Sequence, residues 1–434
     1  MANYGDHQLS IYVQGMFQDT RPEITTDLSR LESQAAANLS AEAMGYIVPS
    51  AGSGSTARAN LAAFDRWRLV PRMLRGSTER DLSCTVLGTK MPAPVVIAPV
   101  GVQTLAHPEG ELATARAASA LGLTYTHSTQ ASHSIEQIEA DSKWFQLYWP
   151  TDKDVCLSFL QRAKASGYSV LLLTLDTGTI GWRPADLDRG FLPFLKGEGL
   201  ANYFSDPAFQ AKLAKPIAED PTAAVMHWAQ MFPNVGLGWD ELSFLRDNWD
   251  GPIVLKGITS VDDAKLAAEH GVDGIVVSNH GGRQVDGAIG SLDALPGIVD
   301  AVPDEFPVLF DSGVRSGADA FKALALGARS VLIGRPWVWG LAVGGEQGVR
   351  SVLRGLLAEL DLTLAHPEGE LATARAASAL GLTYTHSTQA SHSFEQIEAD
   401  SKWFQLYWPT DKDVCLSFLQ RAKASGYSVL LLTL

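Results

Sequence analysis

The chain has 434 residues, 46% hydrophobic and 19% charged, so it can bury a large core in one big domain or in two to three smaller ones. A formal net charge of -14 argues against nucleic acid or an anionic membrane surface as the main partner, while leaving room for a local basic pocket. Cys84, Cys156 and Cys415 have no paired spacing and no neighbouring His, so neither a disulfide framework nor a metal site is expected, and a reducing, cytoplasmic setting is. The opening residues Met1 to Asp6 lack the basic and apolar regions of a secretion signal. No apolar run is long enough to span a bilayer.

Ahead of about residue 94 the pattern is one of helices and loops. Asp27 to Glu42 predicts one or two helices with Asp27 at the N-cap. Tyr46 opens a turn rich in Pro and Gly, Pro49 to Gly54, and a helix presenting Arg58, Leu61 and Phe64 follows. From Pro94 short apolar runs alternate with amphipathic stretches. The runs are Val95–Ile97, Leu123–Thr126, Trp144–Tyr148, Val170–Leu175, Ile253–Lys256, Ile275–Ser278, Val308–Asp311 and Val331–Ile333. Helical patterns such as Glu109–Leu121, Lys153–Ala165, Val261–His270 and Ala318–Leu326 lie between them. Eight strand–helix units over about 250 residues predict an α/β fold, a closed (β/α)8 TIM barrel spanning about 94–362 behind an N-terminal helical segment. An open doubly wound sheet is the rival, weakened by the lack of a Gly-x-Gly-x-x-Gly after the first strand.

Two features break the rhythm. About sixty residues separate Asp176 from Trp239, where βα loops usually run about 2–6. Trp182, Phe191, Phe194, Tyr203, Phe204, Phe209, Trp228 and Phe232 fall in this insertion, which predicts a packed lid or an intersubunit arm. Further on, Thr104–Leu175 reappears as Thr363–Leu434 with one change, Ile135 to Phe394. Near-identity over so long a block indicates a partial duplicate of barrel strands two to four, not a short-period repeat. The copy stops one residue before the counterpart of Asp176, so residues 1–362 are expected to form the working domain and 363–434 a non-catalytic fragment.

Polar residues cluster where the predicted strands end, the edge on which barrel enzymes build their sites. Gln146 and Tyr148 end the third strand, Thr174 and Asp176 the fourth, Lys256 the fifth, Ser278 and His280 the sixth, and Asp311 the seventh. Taken singly each has a structural reading: Thr174 as a strand residue, Lys256 as a snorkelling lysine, Asp311 as a helix cap. His280 is a base suited to neutral pH, and Arg283 is a planar fork for a carboxylate. Asp311-Ser312-Gly313-Val314-Arg315 and Gly334-Arg335-Pro336 combine glycine backbone with two guanidinium groups, a composition suited to a phosphate dianion after strands seven and eight.

Ser278-Asn279-His280-Gly281-Gly282-Arg283-Gln284, together with Leu255-Lys256-Gly257, Phe145-Gln146-Leu147-Tyr148 and Ile333-Gly334-Arg335-Pro336, resembles the FMN-dependent α-hydroxy acid oxidase and dehydrogenase family. The resemblance runs from about Tyr12 to Leu362. Gly181 to Leu187, Phe191 to Leu195 and the long insertion resemble its lactate 2-monooxygenase branch. The resemblance implies FMN as cofactor, with a small 2-hydroxy acid and O2 as partners, no metal, and a homo-oligomer where the altered C-terminus permits one. It makes His280 the active-site base and Asp176 the group that holds it and favours its protonated form. Tyr46, Tyr148, Arg183 and Arg283 take the substrate carboxylate and hydroxyl. Lys256 faces the N1–O2 edge of the flavin. Ser128, Gln146, Thr174 and Ser278 hydrogen-bond its ring, and Pro99, Val100 and Gly101 lie along it. Asp311 binds the ribityl chain, and Gly313, Arg315, Gly334 and Arg335 hold the phosphate.

Two departures matter. Pro49-Ser50 stands where the family has small glycine-type residues after Tyr46, and the duplicate replaces the family's C-terminal tail after Leu362. The reading is oxidation of L-lactate or a similar acid with decarboxylation to acetate, CO2 and water. The alternatives are an oxidase releasing the 2-oxo acid and H2O2, a barrel of the inosine-monophosphate dehydrogenase type, which needs a nucleophilic loop Cys, and an inactive product of faulty duplication.

Overall fold

A computed structural model describes residues 3–71, 80–232, 234–365, 384–387, 402–407, 409–425 and 429–433. These fall into two compact units, the larger ending at Ala365. In it eight parallel strands close into a barrel: β1 Val95–Ile97, β2 Thr124–Ser128, β3 Lys143–Leu147, β4 Leu171–Thr174, β5 Ile253–Ile258, β6 Gly274–Val277, β7 Val308–Phe310 and β8 Ser330–Ile333. Closure comes from β8 pairing with β1, Val331 opposite Val95 and Ile333 opposite Ile97. β-branched and aliphatic residues dominate these strands because both faces are buried. Val96, Leu172, Val254, Val276, Leu309 and Leu332 fill one apolar cluster, while their sequence neighbours Val95, Ile97, Leu171, Leu173, Ile275 and Val277 belong to another. That is the period of two expected for a barrel with filled interior and helical jacket.

An antiparallel hairpin, Cys84–Val86 with Thr89–Met91, contributes Val86 and Met91 to the interior cluster. Thr89 Oγ1 accepts a hydrogen bond from Trp144 Nε1 at 3.1 Å. The hairpin therefore packs at the end where the strands begin, which leaves the C-terminal rim for a site. Helices start where side chains cap them: Asp152 accepts from the N–H of Asp154 and Val155, Ser260 from Asp263, and Ser316 from Asp319. The expected cap at Asp27 is not formed. Asp27 instead takes the N–H and hydroxyl of Ser29 in a local turn. The two helices there are Leu31–Ala36 and Ala41–Ile47, and Ser40 caps the second.

The insertion after β4 folds onto its own barrel. It carries the helices Pro184–Arg189, Ala201–Phe204, Pro207–Gln210 and Pro221–Met231. Tyr203 packs edge-on against Phe159 at 4.9 Å between ring centroids, and Phe194 meets Trp228 at 5.2 Å. Asn202, fully buried, donates to the carbonyls of Ser128 and Thr129 at 3.0 Å each and accepts from the N–H of Ile135 at 2.8 Å. Asp206 accepts from Arg162 at 2.9 Å and from Ser158 at 2.7 Å. Trp182, by contrast, is 72% exposed.

A helix running Arg335–Ala365, broken at Gly344 and Gly345, ends the larger unit three residues past the boundary expected at Leu362. In the smaller unit, β9 Tyr384–Ser387, β10 Lys402–Tyr407 and β11 Val429–Thr433 form a parallel sheet. Its register repeats that of β2, β3 and β4: Tyr384 faces Lys402 as Tyr125 faces Lys143, and Phe404 faces Leu430 as Phe145 faces Leu171. The helix Lys412–Ala424 carries the same Asp cap, here Asp411. Burial differs between the copies. Val155 and Leu171 are 0% exposed, whereas Val414 and Leu430 are 41% and 47% exposed.

Candidate active site

The sixth strand ends in a tight loop. His280, Gly281 and Gly282 all have positive φ, of 58°, 64° and 75°. For His280 this left-handed conformation is strained. At Gly282 it is also enforced by space, since a Cβ would lie 2.6 Å from the backbone N of Ala57. Asn279 pins the loop by exchanging hydrogen bonds with Asn60 at 2.7 and 2.8 Å.

This conformation turns the His280 ring toward the end of β4. Its Nδ1 lies 2.8 Å from Asp176 Oδ1 and 3.2 Å from Thr177 Oγ1. The carboxylate assigns the proton to Nδ1, so Nε2 presents a lone pair. Nε2 faces the Tyr148 hydroxyl at 3.5 Å. Burial pushes the His280 pKa below 6.5, outweighing the opposing attraction of Asp176, and Lys256 and Arg183 push it down further. Asp176 thus favours the protonated ring, while burial tips the balance toward the neutral one. Asp176 itself is held below its usual range, burial being more than offset by His280, Lys256 and Thr177.

A polar row crosses the strand ends beneath. Ser128 Oγ donates to Gln146 Oε1 at 3.0 Å, and Gln146 Nε2 donates to Thr174 Oγ1 at 3.0 Å. Thr174 sits in register with Lys256. Lys256 is 4% exposed, so the snorkelling reading fails. Its Nζ donates to Ser278 Oγ at 2.9 Å and lies 3.0 Å from Asp311 Oδ2. Burial opposes its charge, but Asp311 and Asp176 raise its pKa on balance.

Above the row opens a cleft whose empty space is about 1310 Å3, counting its mouth. Pro99, Val100, Gly101 and Ser128 line one side, and Tyr46, Tyr148, Arg183, His280 and Arg283 another. Asp311, Gly313, Arg315, Gly334 and Arg335 line the far end. Gln146, Thr174, Asp176 and Ser278 stand behind this lining. The substrate-side arginines are partly engaged. Arg283 donates to the carbonyls of Tyr46, Ile47 and Pro49, and Arg183 to the Arg283 carbonyl and Gln284 Oε1. Arg283 is driven down to about 9 by burial and by the charges of Arg183 and Arg335.

The far end fits an anion. Arg335 is pushed down to about 10 by burial and by Arg315, and its Nε is buried with no hydrogen-bond partner. A Cβ placed on Gly334 would meet only Ala98, at 3.9 Å, so this glycine leaves a cradle open. Two half-buried guanidiniums with an unused donor beside bare backbone are what a phosphate group satisfies.

The sequence matches the model of the FMN-dependent dehydrogenase family over residues 35–366, and again over 362–434. The chain belongs to that family. Its cofactor is therefore FMN, and the donors of the far end fit the flavin phosphate. Among family relatives, the chain is 49% identical over 366 residues to the FMN-dependent alpha-hydroxy acid dehydrogenase qulF of Penicillium citrinum, covering 83% of this chain and 91% of that protein. It is 43% identical to an L-lactate oxidase of Lysinibacillus sphaericus, covering 77% and 87%. A crystal structure of mandelate oxidase with (S)-4-hydroxymandelic acid superposes with a TM-score of 0.71 at 38% identity, covering 79% of this chain and 95% of that one. Within the family site, four side chains escaped the sequence reading. Thr177 contacts both Asp176 and His280. Gln284 joins Arg183 to the carbonyls of Asp176 and Thr179. Ser312, at φ 84°, links Gly281 to Asp311. Asp186 forms an ion pair with Arg183 at 3.8 Å, and neither of its buried carboxyl oxygens accepts a hydrogen bond. Adjacency to Asp176 and membership of the Asp311–Arg315 motif were the available signals for Thr177 and Ser312.

Proposed function

We propose that the chain oxidises a small L-2-hydroxy acid, L-lactate foremost, with O2 as final oxidant. The observation that carries this reading is the His280 ring: its Nδ1–H is tied to Asp176, and its Nε2 looks into a cleft shared with Arg183, Arg283, Tyr46 and Tyr148. FMN, when bound, supplies the two-electron acceptor for the substrate α-carbon and passes the electrons on to O2. The protein's part is positioning and proton transfer. Arg183 and Arg283 draw the carboxylate inward. Tyr148 orients the hydroxyl toward Nε2, which takes the hydroxyl proton, and Asp176 stabilises the imidazolium so formed. Lys256 adds positive charge beneath the cleft, where electron density accumulates. Arg315, Arg335, Gly313 and Gly334 hold the phosphate, and Asp311 the ribityl chain.

The relatives named L-lactate oxidase and FMN-dependent alpha-hydroxy acid dehydrogenase support the substrate class. The outcome we propose is oxidative decarboxylation: lactate and O2 give acetate, CO2 and water. The support is an aromatic cover from the insertion. Phe194 meets Tyr46 edge-on at 6.2 Å, Phe232 meets Tyr148 at 5.7 Å, and Trp228 links the two phenylalanines. Such a cover retains the 2-oxo acid beside the peroxide that consumes it. The named lactate oxidase relatives favour a second reading, release of pyruvate and H2O2. Product stoichiometry in aerobic turnover separates them. Acetate and CO2 with little peroxide support retention, and peroxide and pyruvate in equal amounts overturn it.

A further inference from the structure

Behind the first cleft lies a second. It sits over the ends of β4 and β5, beneath the returning segment of the insertion at 234–239, with about 1300 Å3 of empty space counting its mouth. Tyr148, Thr177 and Phe232 line both cavities, so single side chains separate the two there.

The two differ in the charge of their linings. Arginines surround the first, and none lines the second. Trp149, Leu175, Leu237, Trp239 and Leu242 give the second its apolar walls, Asn234 and a second carboxylate, Asp263, also line it, and Asp176 and Thr174 stand at its inner end. Asp176 is ionised, its pKa held down against burial by His280. A hydroxy acid or oxo acid anion entering here would shed water against apolar side chains and then meet a like charge. A small neutral apolar molecule meets neither obstacle. Among the reactants of the proposed oxidation, one has that character.

We propose that this second cavity is the entry chamber for O2, separate from the path of the hydroxy acid. The inference rests on O2 being the oxidant in the reading above. O2 enters uncharged, accepts the two electrons taken from the substrate and two protons, and becomes H2O2. Thr174 belongs to the row of Ser128, Gln146 and Lys256, so a molecule at the inner end reaches the barrel rim without crossing the Phe194 side of the cover. This arrangement admits oxidant while the first cleft stays closed over the organic anion.

Two substitutions block the chamber outside the catalytic machinery. Leu237→Trp fills its wall, and Val235→Trp, at a site 79% exposed at the mouth, narrows the opening with little demand on folding. Crystals of the FMN-loaded enzyme under xenon pressure should show xenon in this cavity, and Leu237→Trp should exclude it. In stopped flow, reoxidation of the dithionite-reduced enzyme by O2 should slow by about an order of magnitude in the variants, while anaerobic bleaching by L-lactate stays within twofold of wild type. Xenon absent from the wild-type cavity, or wild-type reoxidation in both variants, overturns the proposal. If Leu237→Trp does not fold, Val235→Trp decides by the same readout. Failure of L-lactate to bleach the flavin would sink the substrate reading instead, since dithionite reduction tests oxygen entry without it.

Discussion

Asp176 and His280, 104 residues apart in the chain, meet at 2.8 Å where the fourth and sixth strands end. The contact fixes the tautomer of the ring. It also pairs a buried carboxylate with a base that becomes cationic only when it accepts a proton, so the electrostatic gain arrives with the chemistry.

Replacing the base should separate binding from proton transfer. His280→Gln is expected to retain FMN and to lose about two to four orders of magnitude in flavin reduction by L-lactate. Anaerobic stopped flow measures it. Reduction at near wild-type rate would remove His280 from the mechanism.

The pH profile carries a sign. Activity requires neutral His280, whose pKa lies below 6.5 chiefly through burial, so the acid limb of kcat/KM should fall below pH 6.5. Asp176→Asn removes the attraction that raises that pKa, and the limb should move to still lower pH while the plateau drops. Stability follows the same direction. Both folded pKa values are depressed, so the unfolded chain binds more protons as pH falls. The His280 contribution is complete above about 6.5 and is lost as pH falls through its folded value. That of Asp176 is complete above its usual 3.8 and lost below it. An acid limb that moves upward in Asp176→Asn would contradict the argument.

Arg335 should act oppositely on the apoprotein and on the flavin complex. Its half-buried guanidinium is pushed down by burial and by Arg315, so Arg335→Met relieves repulsion and should leave the FMN-free protein at least as stable in thermal melts. Loss of a charge-assisted bond of about 1.5–3 kcal/mol should weaken FMN about 10- to 150-fold. Fluorescence titration of FMN into the apoprotein gives the affinity. An unchanged Kd would place the phosphate elsewhere.

Residues 363–434 repeat 104–175, a stretch that precedes Asp176 and Arg183 in the larger unit. A chain stopped after Ala365, where the long helix ends, should give unchanged turnover per bound flavin and no lower soluble yield. Lost turnover per flavin would assign the duplicate a working role.

The barrel was legible because burial on both faces forces aliphatic runs, and each of the eight expected runs contains or overlaps a strand. Bounds moved where side-chain chemistry changed: Tyr148 and Ser278 were read as strand residues and lie just past the strand ends. The geometric gathering of His280, Asp176, Lys256 and Arg335 was legible from the rule that barrel sites form at strand C-termini. Asn202 was not. Its partners are the carbonyls of Ser128 and Thr129, groups every residue has, so no sequence pattern marks them. Nor was the direction of the His280 shift, in which burial outweighs the attraction of Asp176.

The repeated register has a use of its own. Cys156 and Cys415 occupy the same position in identical helices, and both are buried, at 0% and 4% exposed. One helix jackets a closed ring of strands, and the other packs on a sheet of three. Their alkylation rates, resolved peptide by peptide, form a matched pair of clocks within one polypeptide. Under conditions where a thiol reacts only after local opening, the ratio of the rates reads out directly what closing the ring adds to the cost of exposing that helix, with sequence, solvent and concentration identical for both.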